Sequence, residues 1–172
     1  MDLLDVMLKR RSVRKYTDEE IPNEKMNKIL QAGLLAPTSR NLKPCNFLII
    51  ENKEVLKKIS ESKAHGAAFL KDANKAIAVI GNIKVADTWI EDSSIALTYM
   101  HLMATDLGIG SCWVQIHLRS RDGEDSESIV REILKIDDHY RIVGILALGV
   151  PENMPEPHTL EDIDKNKIHF LV

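Results

Sequence analysis

The sequence predicts an α+β sandwich in which helices come first and a largely buried sheet, interleaved with further helices, follows. Met26, Ile29, Leu30, Gly33 and Leu34 recur at the spacing of a buried helical stripe. The runs 46–51 (NFLIIE), 76–81 (AIAVIG), 111–118 (SCWVQIHL) and 142–150 (IVGILALGV) read as strands. Three or four of them are short and apolar on both sides, as a sheet covered on both faces requires. Strand direction does not follow from this pattern. A length of 172 residues, with 44% hydrophobic and 28% charged residues, fits one domain spanning residues 1–172.

Taken in order, Asp2 to Leu8 reads as a short helix, with Leu4, Met7 and Leu8 on one face and Asp2 as its N-cap. It runs into Lys9-Arg10-Arg11-Ser12-Val13-Arg14-Lys15, five basic residues in seven. Pro22 suits the first turn of the second helix, where a missing N–H costs little. That helix stops before Pro37, and 36–41 (APTSRN) is a loop by composition. Helices are expected over Glu54–Ser62 and Ser128–Leu134, and residues 119–126 are polar and expected to be exposed. Asp87 to Leu107 is the longest helix. It is apolar on most sides, which marks a central helix or one at a subunit interface. The tail carries Pro151, Pro155 and Pro157, so it is no simple helix. Its apolar end, Ile168 to Val172, needs burial in its own core or in a partner's.

Several function classes are disfavoured. A net charge of −3 gives no general attraction to nucleic acid or anionic membrane. The acidic residues flanking the basic cluster, and its lack of interleaved aromatics, weaken a nucleic-acid reading of that cluster. No apolar run approaches the roughly 18 residues that span a bilayer. The N-terminus lacks the pattern of a secretory signal, so a cytoplasmic protein is expected. Cys45 and Cys112 do not make a disulfide framework, and the six histidines form no metal pair at helical spacing. The segment 108–113 (GIGSCW) follows a helix and opens a strand, the reverse of a dinucleotide fingerprint. No phosphate-loop, serine-elbow or zinc-peptidase motif occurs.

Two segments hold side chains suited to binding a ligand. Arg10 and Arg11 offer planar forks that fit phosphate oxygens, and Ser12 adds a hydroxyl donor. The alternative for this cluster is a solvated helix end complementing the helix dipole. Thr38, Ser39 and Asn41 place three small hydrogen-bonding side chains within four residues, a loop able to approach a heterocycle closely.

Together these segments resemble the nitroreductase family of FMN enzymes. The resemblance rests on residues 10–16 (RRSVRKY), on 36–41 with Pro44 and Phe47, on the long helix with Asp92 and Ala96 leading into 107–113 (LGIGSCW), and on 147–151 (ALGVP). It implies a homodimeric α+β sandwich with FMN at the interface, and a C-terminal segment that wraps the partner. Arg10, Arg11 and Ser12 would hold the FMN phosphate, and Arg14 would lie near the pyrimidine edge. Pro37, Thr38, Ser39 and Asn41 would contact the same flavin from the other subunit. Gln115 and Ile116 would place backbone near the flavin N5. His158 would be a weaker stand-in for the basic residue the family commonly carries after its C-terminal prolines, with Lys165 or Lys167 compensating. Lys43-Pro44-Cys45 stand where the family often has Gln-Pro-Trp. The implied activity is hydride transfer from NAD(P)H, then reduction of nitroaromatic, quinone or related small-molecule acceptors by a ping-pong mechanism. The chemistry resides on the flavin, with no protein nucleophile and no metal. The alternatives are a slow or non-catalytic flavin-binding protein for storage or sensing, and other FMN chemistry on the same fold, such as reductive dehalogenation.

Overall fold

Helix α1 (Leu3–Lys9) and helix α2 (Asn23–Leu35) precede strand β1 (Cys45–Ile50), helix α3 (Lys53–Ser60) and strand β2 (Lys75–Asn82) in the computed structural model, which describes residues 2–171. Helix α4 (Trp89–Asp106) leads into β3 (Gly110–Gln115) and a small hairpin of β4 (Ser120–Arg121) and β5 (Glu124–Asp125). Helix α5 (Ser126–Leu134) and β6 (Tyr140–Gly149) follow. Four strands form one sheet in the order β1-β2-β6-β3, antiparallel at every pairing.

Period-two alternation splits the strand side chains between two cores. Ala76, Ala78 and Ile80 of β2 face α3, α5 and the segment around Val13 and Tyr16. Ile77 and Val79 face α2 and α4, against Ile29, Leu97 and Met100. The sheet is therefore covered on both sides, the α+β sandwich that its apolar strands predict.

Most elements lie within two residues of their expected limits, and the departures have identifiable causes. Asp2 occupies the N-cap position of α1 but makes no side-chain cap bond. Pro22 stands at the N-cap of α2, one residue before the helix begins. Strand β3 ends at Gln115 rather than Leu118. The pairing of β2 with β6 slips between Val79 and Ile80, which leaves Val143 as an extra residue in a bulge. The Val143 carbonyl then accepts both the Ile116 and the His117 N–H, each at 3.0 Å, and the ladder stops there. The polar stretch 119–126 is exposed up to Asp125, but Ser126 is buried. It also folds into the β4–β5 hairpin. Asp122 and Gly123, with φ of 51° and 87°, form the two-residue turn that a twisted hairpin favours.

Helix α4 is central. Ala96, Leu97, Met100 and Ala104 are buried, and Tyr99, Leu102 and Met103 line an open apolar groove with Leu3, Val6, Met7 and Ala32. The tail from Glu152 to Leu171 lies exposed along its whole length, with Phe170 83% exposed. The chain's own core therefore does not bury it; Val172, the last residue of the predicted apolar terminus, lies outside the described residues. No helix among the described residues is long and apolar enough to cross a membrane.

Candidate flavin site

The basic segment is fixed by the sheet it crosses. As α1 ends, Ser12 forms a parallel bridge with Ser111, and the Val13 N–H donates to the Ser111 carbonyl at 2.9 Å. Tyr16 bridges Pro151, and its hydroxyl donates to the Val13 carbonyl at 2.6 Å. Burial pushes the Tyr16 phenol well above its ordinary pKa, so it stays a donor. Two glycines permit this crossing. A Cβ on Gly110 would stand 2.8 Å from Val13 Cγ1, and one on Gly149 2.6 Å from Tyr16 Cγ.

This arrangement lays the segment holding Arg10, Ser12 and Arg14 along the start of β3. All three act on the buried Cys112 thiol: burial raises its pKa, while Arg14, Ser12 and Arg10 oppose that rise. Arg14 also lies over the Phe69 ring, 5.7 Å from its centroid, a cation–π contact that restrains the guanidinium. Arg10 Nη1 meets His101 Nε2 at 3.2 Å. Arg11 turns the other way and donates to the Glu156 carbonyl. A small hollow between Ser12, Arg14, Lys15, Asn153 and Pro155 adjoins the cluster.

Strand β3 is an edge strand. Because the Ser111 carbonyl points away from β6, the backbone groups of Trp113 and Gln115 point the same way by alternation. The Gln115 carbonyl accepts from Lys63 Nζ at 3.0 Å, which agrees with this direction. The Gln115 side chain spans its neighbours, accepting from Trp113 Nε1 at 3.0 Å and donating to the His117 carbonyl at 3.1 Å. Ile116 is fully buried, and its N–H is committed to Val143. The structure therefore places Gln115, rather than Ile116, with backbone on the open edge.

The 36–44 loop is held in an unusual shape. Arg40, Asn41 and Lys43 have φ of 52°, 55° and 50°, three non-glycine residues in the left-handed region within four positions. Such strain persists only where the surroundings over-determine it. Here the Ser39 N–H donates to Asp92 Oδ1 at 2.9 Å, and the Lys43 N–H donates to Thr38 Oγ1 at 3.0 Å. Arg40 pairs with Asp87 at 2.7 Å. Asp92 is 2% exposed and also accepts from the Thr88 hydroxyl at 3.2 Å.

Within one chain the two segments are apart. Arg10 meets α4 at His101 and Ser39 meets it at Asp92, nine residues away, or roughly 13 Å along a helix. Pro37, Thr38, Ser39 and Asn41 thus do not join Arg10, Ser12 and Arg14 in a single chain. His158 sits on the tail; its N–H donates to the Leu8 carbonyl at 2.8 Å, and its Nδ1 lies 3.6 Å from Asp162. The sequence alone points to no role for His101, Lys63, Phe69 or Cys112. No local pattern marks their side chains, and each reaches the site through long-range packing.

A separate polar cluster braces the far end of β3, beyond Gln115. Glu127, 2% exposed, accepts from Arg141 Nε at 2.5 Å and Nη2 at 2.8 Å, from the Ile142 N–H at 2.9 Å and from His117 Nδ1 at 3.3 Å. Burial opposes ionisation, yet Arg141, Ile142 and His117 together hold the carboxyl below its ordinary range. No group of three or more metal-ligating side chains occurs among the described residues.

An antiparallel sheet sandwiched by helices, with a cationic segment lying across the start of its open edge strand, defines an α+β sandwich with a candidate anion site at that edge. The chain belongs to the nitroreductase family: the model described as "Nitroreductase family" matches it over residues 7–80 and 60–150. A candidate NADH dehydrogenase/NAD(P)H nitroreductase from Methanothermobacter thermautotrophicus is 34% identical, over 99% of this chain and 87% of that relative. Another so described, from Archaeoglobus fulgidus, is 33% identical over 98% of this chain and 97% of its own length. The solved structure of an FMN-dependent nitroreductase from Clostridium difficile matches with a TM-score of 0.94 and 39% identity, covering 97% of this chain and 98% of that one. Like other members of its family, the chain is an oxidoreductase.

Proposed function

We propose that this protein is an FMN-dependent oxidoreductase that takes hydride from NAD(P)H and reduces nitroaromatic, quinone or related small-molecule acceptors by a ping-pong mechanism. The observation that carries the reading is the cationic segment holding Arg10, Ser12 and Arg14, which lies along the open edge of β3 through the Ser12–Ser111 bridge. This donor set fits a phosphorylated heterocycle: fixed cations and a hydroxyl suit the phosphate, and the outward-facing backbone of Trp113 and Gln115 suits a ring's polar edge. The relatives' names, which pair NAD(P)H with nitroreductase and FMN with the structural neighbour, support it.

FMN, when bound, supplies the two-electron chemistry. The protein's part is positional and electrostatic. Arg10 and Ser12 hold the phosphate, with Arg11 joining once it leaves the Glu156 carbonyl. Arg14, restrained by Phe69, stands at the pyrimidine edge, where a cation favours the reduced, more anionic state. Gln115 presents backbone to the ring, with Ile116 packed behind it. Pro37, Thr38, Ser39 and Asn41 reach the same flavin from the second subunit, a reading that the roughly 13 Å separation along α4 within one chain supports. His158 lies on the tail as a distal contact. The active form is accordingly a homodimer, in the cytoplasm where NAD(P)H is produced.

Visible absorption of the purified protein, before and after NADH or NADPH without oxygen, tests this. Flavin bands that bleach are expected. Bands that persist would leave a binding protein rather than a reductase. No bands after incubation with FMN would sink the flavin assignment.

A further inference from the structure

We propose that His101 is a positioning residue for Arg10: as a neutral imidazole it fixes the guanidinium that receives the flavin phosphate. The inference rests on the flavin reading above and names a residue outside its contact set.

The hydrogen-bond chemistry leaves one assignment. Arg10 Nη1 stands 3.2 Å from His101 Nε2, and His101 Nδ1 stands 2.6 Å from Ser111 Oγ. A guanidinium carries donors only and does not deprotonate in proteins. Nε2 must therefore be the bare nitrogen. The ring hydrogen resides on Nδ1, which donates to Ser111 Oγ. Protonation would turn Nε2 into a donor facing another donor. Burial and the neighbouring Arg10 charge both oppose it, and the His101 pKa falls to about 4.

Placement gives this pair its consequence. His101 is 6% exposed and Ser111 1%, and the neighbouring buried positions of α4 include the apolar Leu97, Met100 and Ala104. A buried polar ring is costly unless paired, and of its two side-chain partners Arg10 belongs to the candidate phosphate site. Ser111 is itself the bridge partner of Ser12. One imidazole thus links α4, the end of α1 and the start of β3. It fixes one nitrogen of a long, flexible side chain and leaves the others free to meet an anion. An Arg already held in place loses less freedom on binding its ligand.

Titration of the full chain with FMN and with riboflavin, which lacks the phosphate, tests the proposal. His101→Leu is expected to weaken FMN about tenfold, the scale of one charge-assisted hydrogen bond, and to leave riboflavin within about twofold. His101→Gln should keep FMN affinity within about threefold, because its carbonyl can accept from Arg10 while its amide donates to Ser111. In an Arg10→Ala background His101→Leu should add no further loss. Nitrogen NMR of wild type should show His101 with its hydrogen on Nδ1 at neutral pH. Equal losses for both flavins, additive losses in the double variant, or a hydrogen on Nε2 would each overturn the positioning role. A wild type that binds FMN no tighter than riboflavin would instead overturn the phosphate assignment of Arg10, while the NMR result still reports the Arg10–His101 pairing. Should His101→Leu fail to fold, the Gln variant and the wild-type spectrum decide the matter.

Discussion

Asp92 Oδ1 accepts the backbone N–H of Ser39 at 2.9 Å, so a buried carboxylate on α4 anchors a loop 53 residues earlier in the chain. The loop it anchors is the strained one, with Arg40, Asn41 and Lys43 all left-handed. Asp92→Ala removes the acceptor and leaves the Thr88 hydroxyl without its partner. It should cost about 2 kcal/mol, the scale of a hydrogen bond to a charged group. Asp92→Asn keeps an acceptor oxygen and should cost less. Hydrogen exchange of the Ser39 amide checks this: protection should fall in the Ala variant. Unchanged protection would show that other contacts hold the loop.

Gly149→Ala tests the crossing of the basic segment over the sheet. The new methyl would lie 2.5 Å from Asn74 Oδ1 and 2.6 Å from Tyr16 Cγ. Asn74 receives the Val150 N–H and donates to the Thr17 carbonyl, so displacing it disturbs both sides of the crossing. Overpacking of this kind costs about 1 to 3 kcal/mol. Denaturant melts should show that loss, and FMN retention through gel filtration should fall with it. A variant as stable as wild type would mean that Tyr16 and Asn74 yield freely.

Stability should fall on mild acidification, and His101 sets the window. Its pKa drops from the ordinary 6.5 to about 4 on folding, through burial and then Arg10. The native state therefore binds fewer protons than the unfolded chain between those values. The contribution is intact above pH 6.5 and is lost as pH falls toward 4. By linkage the loss at pH 4.5 is about 2 to 3 kcal/mol. Glu127, whose pKa is also lowered, adds its loss only below its ordinary 4.5. Thermal melts between pH 7.5 and 4.5 should show the decline in wild type and a flatter profile in His101→Gln. Parallel profiles would contradict the neutral, buried imidazole.

The tail offers a test of dimerisation. Leu160, Ile163, Ile168, Phe170 and Leu171 are exposed in the single chain, as is much of the groove formed by α1 and α4. Removing residues 160–172 should weaken self-association at least about tenfold, or ~1.4 kcal/mol, by light scattering across a dilution series. An undiminished dimer would place the interface elsewhere.

Much of this fold is legible in the sequence because its signals are local. The stripe from Met26 to Leu34 lies on α2, and the four apolar runs lie on β1, β2, β3 and β6. The Asp122-Gly123 pair is a local hairpin signal, whereas the composition of 119–126 predicts only an exposed polar stretch. Other features leave no local trace. Nothing in 142–150 marks Val143 as the bulged residue that ends β3. Nothing around Arg40 announces a left-handed run, and one of the contacts that hold it comes from Asp92 on another element.

Periodicity and short motifs determine which segments become helices and strands, and they place Arg10, Ser12 and Arg14 in one cationic run, because those properties depend on residues a few positions apart. Tertiary structure alone decides the strand order β1-β2-β6-β3 and the outward aim of the Gln115 backbone. It also decides the meeting of Arg10 with His101 across 91 residues and the separation of Arg10 from Ser39 along α4. The reason is physical: these depend on how whole elements stack to bury two cores, and no single segment carries that information.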